Sequence, residues 1–235
     1  MSNSNRLSEV QKKLGGGKTL TKISNGMDDL ITQCVEETKM HLISVFGNNI
    51  KLQHETKIFL KDVIDKLKKT YPNEKWVYKF NTSYMKPDGG FLYLLDKNSN
   101  KYPILIVEMK KQGTNDEVIA TKGKKQASGN AIERLGKNVI GLRTWMKNES
   151  IFPFVCFGYG WDFKPESTIL DRVGTIAEFG ELNTTNLHDT EHTKRGSFYF
   201  NQHPLTKKEI SAILNEIAVN SVYYYFSKYS REKFI

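Results

Sequence analysis

The chain has 235 residues, enough to bury a real hydrophobic core in one large domain or two small ones. Its 35 lysines and arginines against 26 aspartates and glutamates give a formal charge of +9, which favours a polyanionic partner, although a lysine-rich composition can also reflect solubility or an AT-rich genome. No apolar stretch approaches the length of a membrane span and the polar start does not resemble a signal peptide, so the sequence predicts a cytoplasmic protein without a membrane segment.

In chain order, the sequence predicts a polar N-terminal arm over residues 1–19 and then a single domain over residues 20–235. Apolar periodicity predicts helices over 27–46 and 55–69, strands over 76–80, 92–95 and 104–107, a helix over 126–148, strands over 152–157 and 197–200, and a helix over 205–228. Thr206 and Glu209 are typical of a capping box at the start of the last helix, and loops are expected over 166–195. Central strands with helices on both sides predict an α/β fold with a central mixed five-stranded sheet.

Charged residues flank two of the predicted strands. Asp88 precedes the strand over 92–95, and Glu108 and Lys110 follow the apolar run over 104–107. Because side chains alternate faces along a strand, Glu108 and Lys110 point to the same side, and a short turn between the strands brings Asp88 close to them. A few carboxylates, completed by waters and a substrate phosphate, suit Mg²⁺, which can lower the pKa of bound water. The pattern therefore indicates phosphodiester chemistry.

The same residues also have an ordinary structural explanation, because strands commonly end at polar surface and short motifs match by chance. Gly89 and Gly90 permit the close approach of a bulky ligand or an unusual backbone conformation, but they are equally compatible with a plain strand-entry turn. A surplus of six positive charges between Lys101 and Lys147 favours the functional interpretation, because a phosphate backbone could lie across this region.

Other patterns carry less weight. The run over 15–19 resembles the end of a phosphate-binding loop, but position 12 is lysine and no strand precedes it, so no nucleotide cofactor is expected. His188 and His192 have zinc-compatible spacing, yet a solvated loop is the better interpretation. The aromatic run over 223–226 could stack on bases but more often fills a core or a subunit contact. Cys34 and Cys156 are predicted to be buried thiols rather than a disulfide.

Three segments of the chain occur in the same order and with similar spacing in a known family. They are Met85-Lys86-Pro87-Asp88-Gly89-Gly90, Val107-Glu108-Met109-Lys110-Lys111-Gln112-Gly113 and Ser128-Gly129-Asn130-Ala131-Ile132-Glu133-Arg134. On these segments the chain resembles the EcoRI-type (EcoRI/MunI-like) restriction endonucleases of the PD-(D/E)XK superfamily. The likeness is strong over residues 83–163 and weak elsewhere.

This resemblance implies a type II restriction endonuclease, a Mg²⁺-dependent homodimer that cuts palindromic double-stranded DNA. By the likeness, Asp88, Glu108 and Lys110 are catalytic, and Asp88, Glu108 and the Met109 carbonyl hold the metal. Lys110 would orient or help to deprotonate the attacking water, and the products would carry a 5′-phosphate and a 3′-hydroxyl. Glu55, on the predicted preceding helix, could reach the metal through water, although a solvated helix position is its more ordinary role.

The start of the helix over 126–148 is the expected reader of base sequence, because major-groove helices present their N-terminal residues to base edges. The resemblance implies an AATT core within the site but does not extend to the outer base pairs. Glu133 and Arg134 could instead form a structural ion pair or a cap. The residues expected to contact DNA are Lys86, Lys111, Gln112, Gly129, Asn130, Ala131, Glu133 and Arg134.

Two other functions stay open on the sequence. One is a basic DNA-binding module in which Asp88, Glu108 and Lys110 are only structural. The other is a structure-specific nuclease of repair or recombination with the same fold, which would be indifferent to sequence in plain duplex DNA. The segment over 128–134 favours the sequence-specific enzyme over both.

Overall fold

A computed structural model describes residues 17–112, 130–178, 181–188 and 195–235. The described helices are Gly17–Phe46 (α1), Leu60–Thr70 (α2), Asn130–Trp145 (α3), Ile169–Ile176 (α4) and Lys207–Tyr229 (α5). The described strands are Lys51–Glu55 (β1), Ile58–Phe59 (β2), Tyr84–Met85 (β3), Gly90–Leu95 (β4), Lys101–Lys111 (β5), Phe154–Tyr159 (β6) and Ser197–Asn201 (β7). Across this part of the chain, no helix combines the length and the apolar character that crossing a membrane would require.

Five of the strands form one mixed sheet in the order β1-β4-β5-β6-β7, and β2 and β3 form a separate antiparallel pair. β4 pairs antiparallel with β1 and β5, whereas β6 pairs parallel with β5 and β7. The three central strands are almost entirely buried, as expected for strands covered on both faces. α1 packs against α5 and β4, α5 packs against β5, and α2 packs against α3. The predicted α/β fold, with a central mixed five-stranded sheet and flanking helices, is confirmed.

One predicted strand is wrong. Residues 76–80 form no strand, and Val77 and Phe80 within them are exposed. The fifth strand of the sheet is instead β1, which contains a single apolar residue, Leu52. An edge strand tolerates such polar composition because its outer side meets solvent while the pairing with β4 holds its backbone. The helix predicted from residue 55 accordingly begins at Leu60.

The remaining differences are small. α1 begins at Gly17, inside the segment predicted as an arm, and residues 1–16 lie outside the described residues. α3 runs over Asn130–Trp145 rather than 126–148, and the short α4 lies in a segment predicted as loops. Cys34 and Cys156 are free, buried thiols, as predicted.

The predicted capping box at the start of α5 is present. Thr206 Oγ1 accepts a hydrogen bond from the Glu209 backbone nitrogen at 3.3 Å, and Glu209 Oε2 accepts one from the Thr206 nitrogen at 2.8 Å. Replacing Thr206 with alanine is expected to destabilise the protein by about 1 kcal/mol, because a helix N–H group loses its acceptor. Urea unfolding would measure the change. The control is Thr175→Ala at an exposed position of α4, where little change is expected, and equal losses in the two variants would argue against the cap.

Candidate active site

A tight turn at the entry to β4 carries the first charged residue of the site, Asp88. The Gly90 backbone nitrogen donates to the Pro87 carbonyl oxygen at 3.1 Å and closes the turn. The Gly89 nitrogen donates to the Val107 carbonyl oxygen at 2.9 Å, which ties the turn to the central strand β5. The turn therefore holds Asp88 beside the part of β5 that follows Val107.

Asp88 meets two charged residues of β5. Its Oδ2 accepts a hydrogen bond from the Met109 backbone nitrogen at 3.1 Å. Lys110 Nζ donates to Glu108 Oε1 and, at 3.1 Å, to the Met109 carbonyl oxygen, and it lies 3.9 Å from Asp88 Oδ2. Glu108 and Lys110 share one side of β5, as the alternation of a strand requires. The structure thus brings together all three residues, which we refer to as the acidic–lysine cluster.

Burial governs the electrostatics of this cluster. Glu108 is only 2% exposed. Burial raises the pKa of its carboxyl group to about 7, with the Lys110 charge opposing this shift and the Asp88 charge adding to it. Burial would lower the pKa of Lys110, but Glu108, Cys156 and Asp88 together raise it above its ordinary value. The cluster therefore carries a carboxyl group that is costly to ionise unless more positive charge is present.

The donor set fits a hard divalent cation. Within the described residues, the buried Oε2 atom of Glu108 has no hydrogen-bond partner, and the Asp88 side chain is 37% exposed and open to solvent. The described residues contain no group of three or more His, Cys, Asp and Glu side chains arranged to hold a metal. The Met109 carbonyl and oxygens from solvent or substrate would therefore have to complete the coordination, which suits Mg²⁺ because it keeps several waters.

Gly89 and Gly90 are explained by the packing of the protein itself. A Cβ atom at Gly89 would lie 2.6 Å from Ile31 Cγ2 and 2.7 Å from Val107 Cβ. Gly90 has a φ of +72°, and a Cβ atom there would lie 2.4 Å from the Glu55 carbonyl oxygen. Of the two interpretations left open on the sequence, these contacts support the strand-entry turn.

The expected DNA-reading segment lies at the start of α3. Ala131 is half-buried, and Glu133 and Arg134 are exposed one turn into the helix, while Ile132 and Leu135 are buried and anchor it. The helix therefore turns two charged side chains of its first turns outward. Gly129 lies outside the described part of the chain, and so does the side chain of Asn130.

The other expected DNA contacts lie nearer the acidic–lysine cluster. Lys86 is exposed immediately before the turn that carries Asp88. Lys111 is half-buried, with its Nζ 5.9 Å from the centre of the Tyr159 ring. Gln112 is 6% exposed, and its Oε1 has no hydrogen-bond partner in the described residues. Gln112, two residues after Lys110, is thus buried rather than an open surface residue.

Two side chains near the site differ from the sequence analysis. Glu55 lies on β1, not on a helix, and its Oε1 accepts hydrogen bonds from Gln53 at 2.7 Å and Lys101 at 2.5 Å. Its carboxylate is therefore engaged with Lys101, the first residue of β5. The second is His54, which no local motif in the sequence marks and whose Nε2 lies 2.9 Å from the Gly89 carbonyl oxygen.

The histidine pair and the aromatic run noted in the sequence contribute little to the site. His188 forms an isolated backbone bridge with Ile151, and residue 192 lies outside the described residues. In the aromatic run, Tyr225 is buried and donates to the Pro103 carbonyl oxygen at 3.1 Å, which is the predicted core role, while Tyr223 is 55% exposed.

Comparison with known proteins gives concordant matches. The family described as "Restriction endonuclease EcoRI" matches residues 15–232. The type II restriction enzyme RsrI of Cereibacter sphaeroides is 32% identical over 188 residues, which cover 74% of this chain and 68% of that enzyme. The type II restriction enzyme EcoRI of Escherichia coli is 29% identical over 177 residues, which cover 72% of this chain and 64% of that enzyme. The match thus spans about two thirds of the length of each relative.

Proposed function

The chain belongs to the EcoRI family of type II restriction endonucleases, and we propose that it is a Mg²⁺-dependent homodimer that cleaves both strands of palindromic DNA. The observation that carries the proposal is the meeting of Asp88, in the turn before β4, with Glu108 and Lys110 of β5. A buried carboxyl group without a hydrogen-bond partner on one oxygen, beside a second carboxylate and an ammonium group, suits an ion that bridges protein and phosphate.

The proposed chemistry is hydrolysis of a phosphodiester bond. Asp88, Glu108 and the Met109 carbonyl would hold Mg²⁺, which when bound lowers the pKa of water and stabilises negative charge on the phosphoryl group. Lys110 donates hydrogen bonds within the same cluster, and its ammonium group would orient the attacking water and stabilise the developing charge. Water adds to phosphorus, the bond to the 3′ oxygen breaks and that oxygen takes up a proton. The products are a 5′-phosphate and a 3′-hydroxyl.

The proposed recognition element is the start of α3, reading a site that contains AATT. A palindrome presents the same bases on both strands, so a twofold dimer offers one reading helix and one active site to each half. The exposure of Glu133 and Arg134, on a helix anchored by buried Ile132 and Leu135, supports this proposal. Lys86 and Lys111 supply positive charge for the phosphate backbone close to the acidic–lysine cluster.

Replacing Arg134 with alanine is expected to weaken binding to the preferred sequence by about 1 to 3 kcal/mol, because a base contact is lost. Binding to unrelated DNA should change much less. Competition binding in Ca²⁺, with AATT-containing and scrambled duplexes, measures the difference. Lys137→Ala, an exposed lysine one turn further along α3, is the control. Undiminished sequence preference in the Arg134 variant would argue against α3 as the reader.

The experiment that tests the proposed function is digestion of mixed-sequence plasmid, followed by sequencing of the ends. The proposal predicts discrete fragments with Mg²⁺, no cutting in EDTA, and ends that share one palindrome. Cutting without metal, or a smear without a common sequence, would contradict it. Cleavage confined to branched or flapped substrates would point instead to a structure-specific nuclease.

A further inference from the structure

His54 links the edge strand β1 to the turn that carries Asp88. Its Nε2 lies 2.9 Å from the carbonyl oxygen of Gly89, the residue that follows Asp88. A carbonyl oxygen can only accept a hydrogen bond, so Nε2 carries the proton in this contact. The His54 side chain is 15% exposed, so the contact is largely sheltered from water.

A carboxylate lies beside the other ring nitrogen of His54. Nδ1 of His54 lies 3.1 Å from Oε1 of Glu36 on α1. The side chain of Glu36 is 51% exposed, so this contact is the weaker of the two. These two contacts therefore connect α1, the edge strand β1 and the turn that carries Asp88. Because a carboxylate and a carbonyl oxygen both only accept, the two contacts are both hydrogen bonds when both ring nitrogens of His54 carry protons.

The glycine after the turn makes this approach possible. A Cβ atom at Gly90 would lie 3.0 Å from His54 Nε2. Four contacts hold the turn: the Gly89 nitrogen and the Asp88 side chain bind to β5, the Gly90 nitrogen binds within the turn, and His54 binds the Gly89 carbonyl oxygen. The His54 contact ties the turn to the edge strand β1.

We infer that His54 is a positioning residue for the proposed metal site. It holds the Gly89 peptide so that Asp88 stays beside the Met109 nitrogen and next to Glu108. Without this hydrogen bond the turn can rotate, and the Asp88 carboxylate spends less time in the geometry that an ion shared with Glu108 requires. The inference rests on the proposed function, since that function defines the metal.

Three substitutions of His54 separate positioning from simple packing. His54→Gln retains an N–H donor the same number of bonds from Cβ as Nε2, whereas the donor of His54→Asn is one bond too short. His54→Leu fills the space without any donor. His41→Leu, at an exposed position of α1, is the matched control, and Asp88→Asn is the reference for loss of the site. Each variant is measured for Mn²⁺ affinity by calorimetry, for Mg²⁺-dependent plasmid cleavage, for DNA binding in Ca²⁺ and for melting temperature.

If His54 positions the turn that carries Asp88, His54→Leu and His54→Asn should weaken Mn²⁺ binding by about tenfold or more. This is the usual scale for residues that support metal ligands. Cleavage should fall with metal affinity, DNA binding should stay near wild type, and His54→Gln should recover most of the loss. Equal Mn²⁺ affinity in wild type and His54→Leu would overturn the inference, as would equal losses in the glutamine and asparagine variants.

Failure of the proposed function would give a different experimental result from failure of the inference about His54. Wild-type protein that binds Mn²⁺ through Asp88 but cuts no DNA contradicts the nuclease proposal and leaves the inference about His54 to be decided by the affinities alone. Wild-type protein that binds no Mn²⁺ overturns both.

Discussion

Replacing Glu108 with glutamine is expected to reduce DNA cleavage by about 10³-fold or more, while DNA binding persists. Glu108 is buried, one of its oxygens lacks a partner in the described residues, and the other accepts from Lys110. Glutamine keeps the shape but removes the negative charge that a divalent cation needs. Asp88→Asn is expected to behave in the same way, because its carboxylate faces the same position beside Met109.

Single-turnover cleavage in Mg²⁺ and binding in Ca²⁺ separate these two effects. Glu166→Gln, at an exposed position outside the acidic–lysine cluster, is the control and should cleave at the wild-type rate. Cleavage by Glu108→Gln within a few-fold of wild type would contradict the proposed role. Loss of binding together with cleavage would instead make Glu108 a residue of the DNA interface.

Replacing Gly158 with alanine is expected to destabilise the fold by about 1 to 3 kcal/mol, the usual cost of overpacking a core. Gly158 lies on β6 between Lys110 of β5 and Phe200 of β7. A Cβ atom there would lie 2.0 Å from Phe200 Cδ1, and Phe200 is buried. The ring would therefore have to move within the core, close to the strand that carries the acidic–lysine cluster.

Urea unfolding of the Gly158 variant tests this expectation. Gly174→Ala is the matched control, because its added Cβ atom meets nothing within 4 Å and Gly174 lies within the helix α4. Alanine is expected to stabilise that helical position by about 0.4 to 1 kcal/mol. Stability unchanged or raised in the Gly158 variant would show that Phe200 can move aside without cost.

The central part of the site could be predicted from the sequence because it depends on short-range rules. The two strands and the turn between them are adjacent in the chain, and their apolar runs are unbroken. The alternation of side chains then places Glu108 and Lys110 on one side. Likewise, the capping box of α5 is a local pattern and is present as predicted.

The edge of the sheet could not be predicted in this way. β1 contains Lys51, Gln53, His54 and Glu55, and its place in the sheet is fixed only by pairing with a strand about forty residues away. Residues 76–80, by contrast, are rich in residues that favour strands but find no partner strand. Because the position of His54 depends on that pairing, its contact with the Gly89 carbonyl was equally hidden.

The family resemblance predicted properties that short-range rules do not reach. The match over residues 15–232 confirms the family over most of the chain, far beyond the three matching segments. The AATT core and the dimer rest on the resemblance, whereas the metal rests both on the resemblance and on the meeting of Asp88, Glu108 and Lys110.

The proposal that Asp88, Glu108 and the Met109 carbonyl hold a divalent metal is tested most directly by anomalous diffraction. Crystals of the protein are soaked in Mn²⁺, which replaces Mg²⁺ and can be located by its anomalous signal. We expect one strong anomalous peak within coordination distance of the Asp88 and Glu108 carboxylates and the Met109 carbonyl oxygen. The peak should be absent in crystals of the Glu108→Gln variant. A peak bound by other residues, or an unchanged peak in the variant, would contradict it.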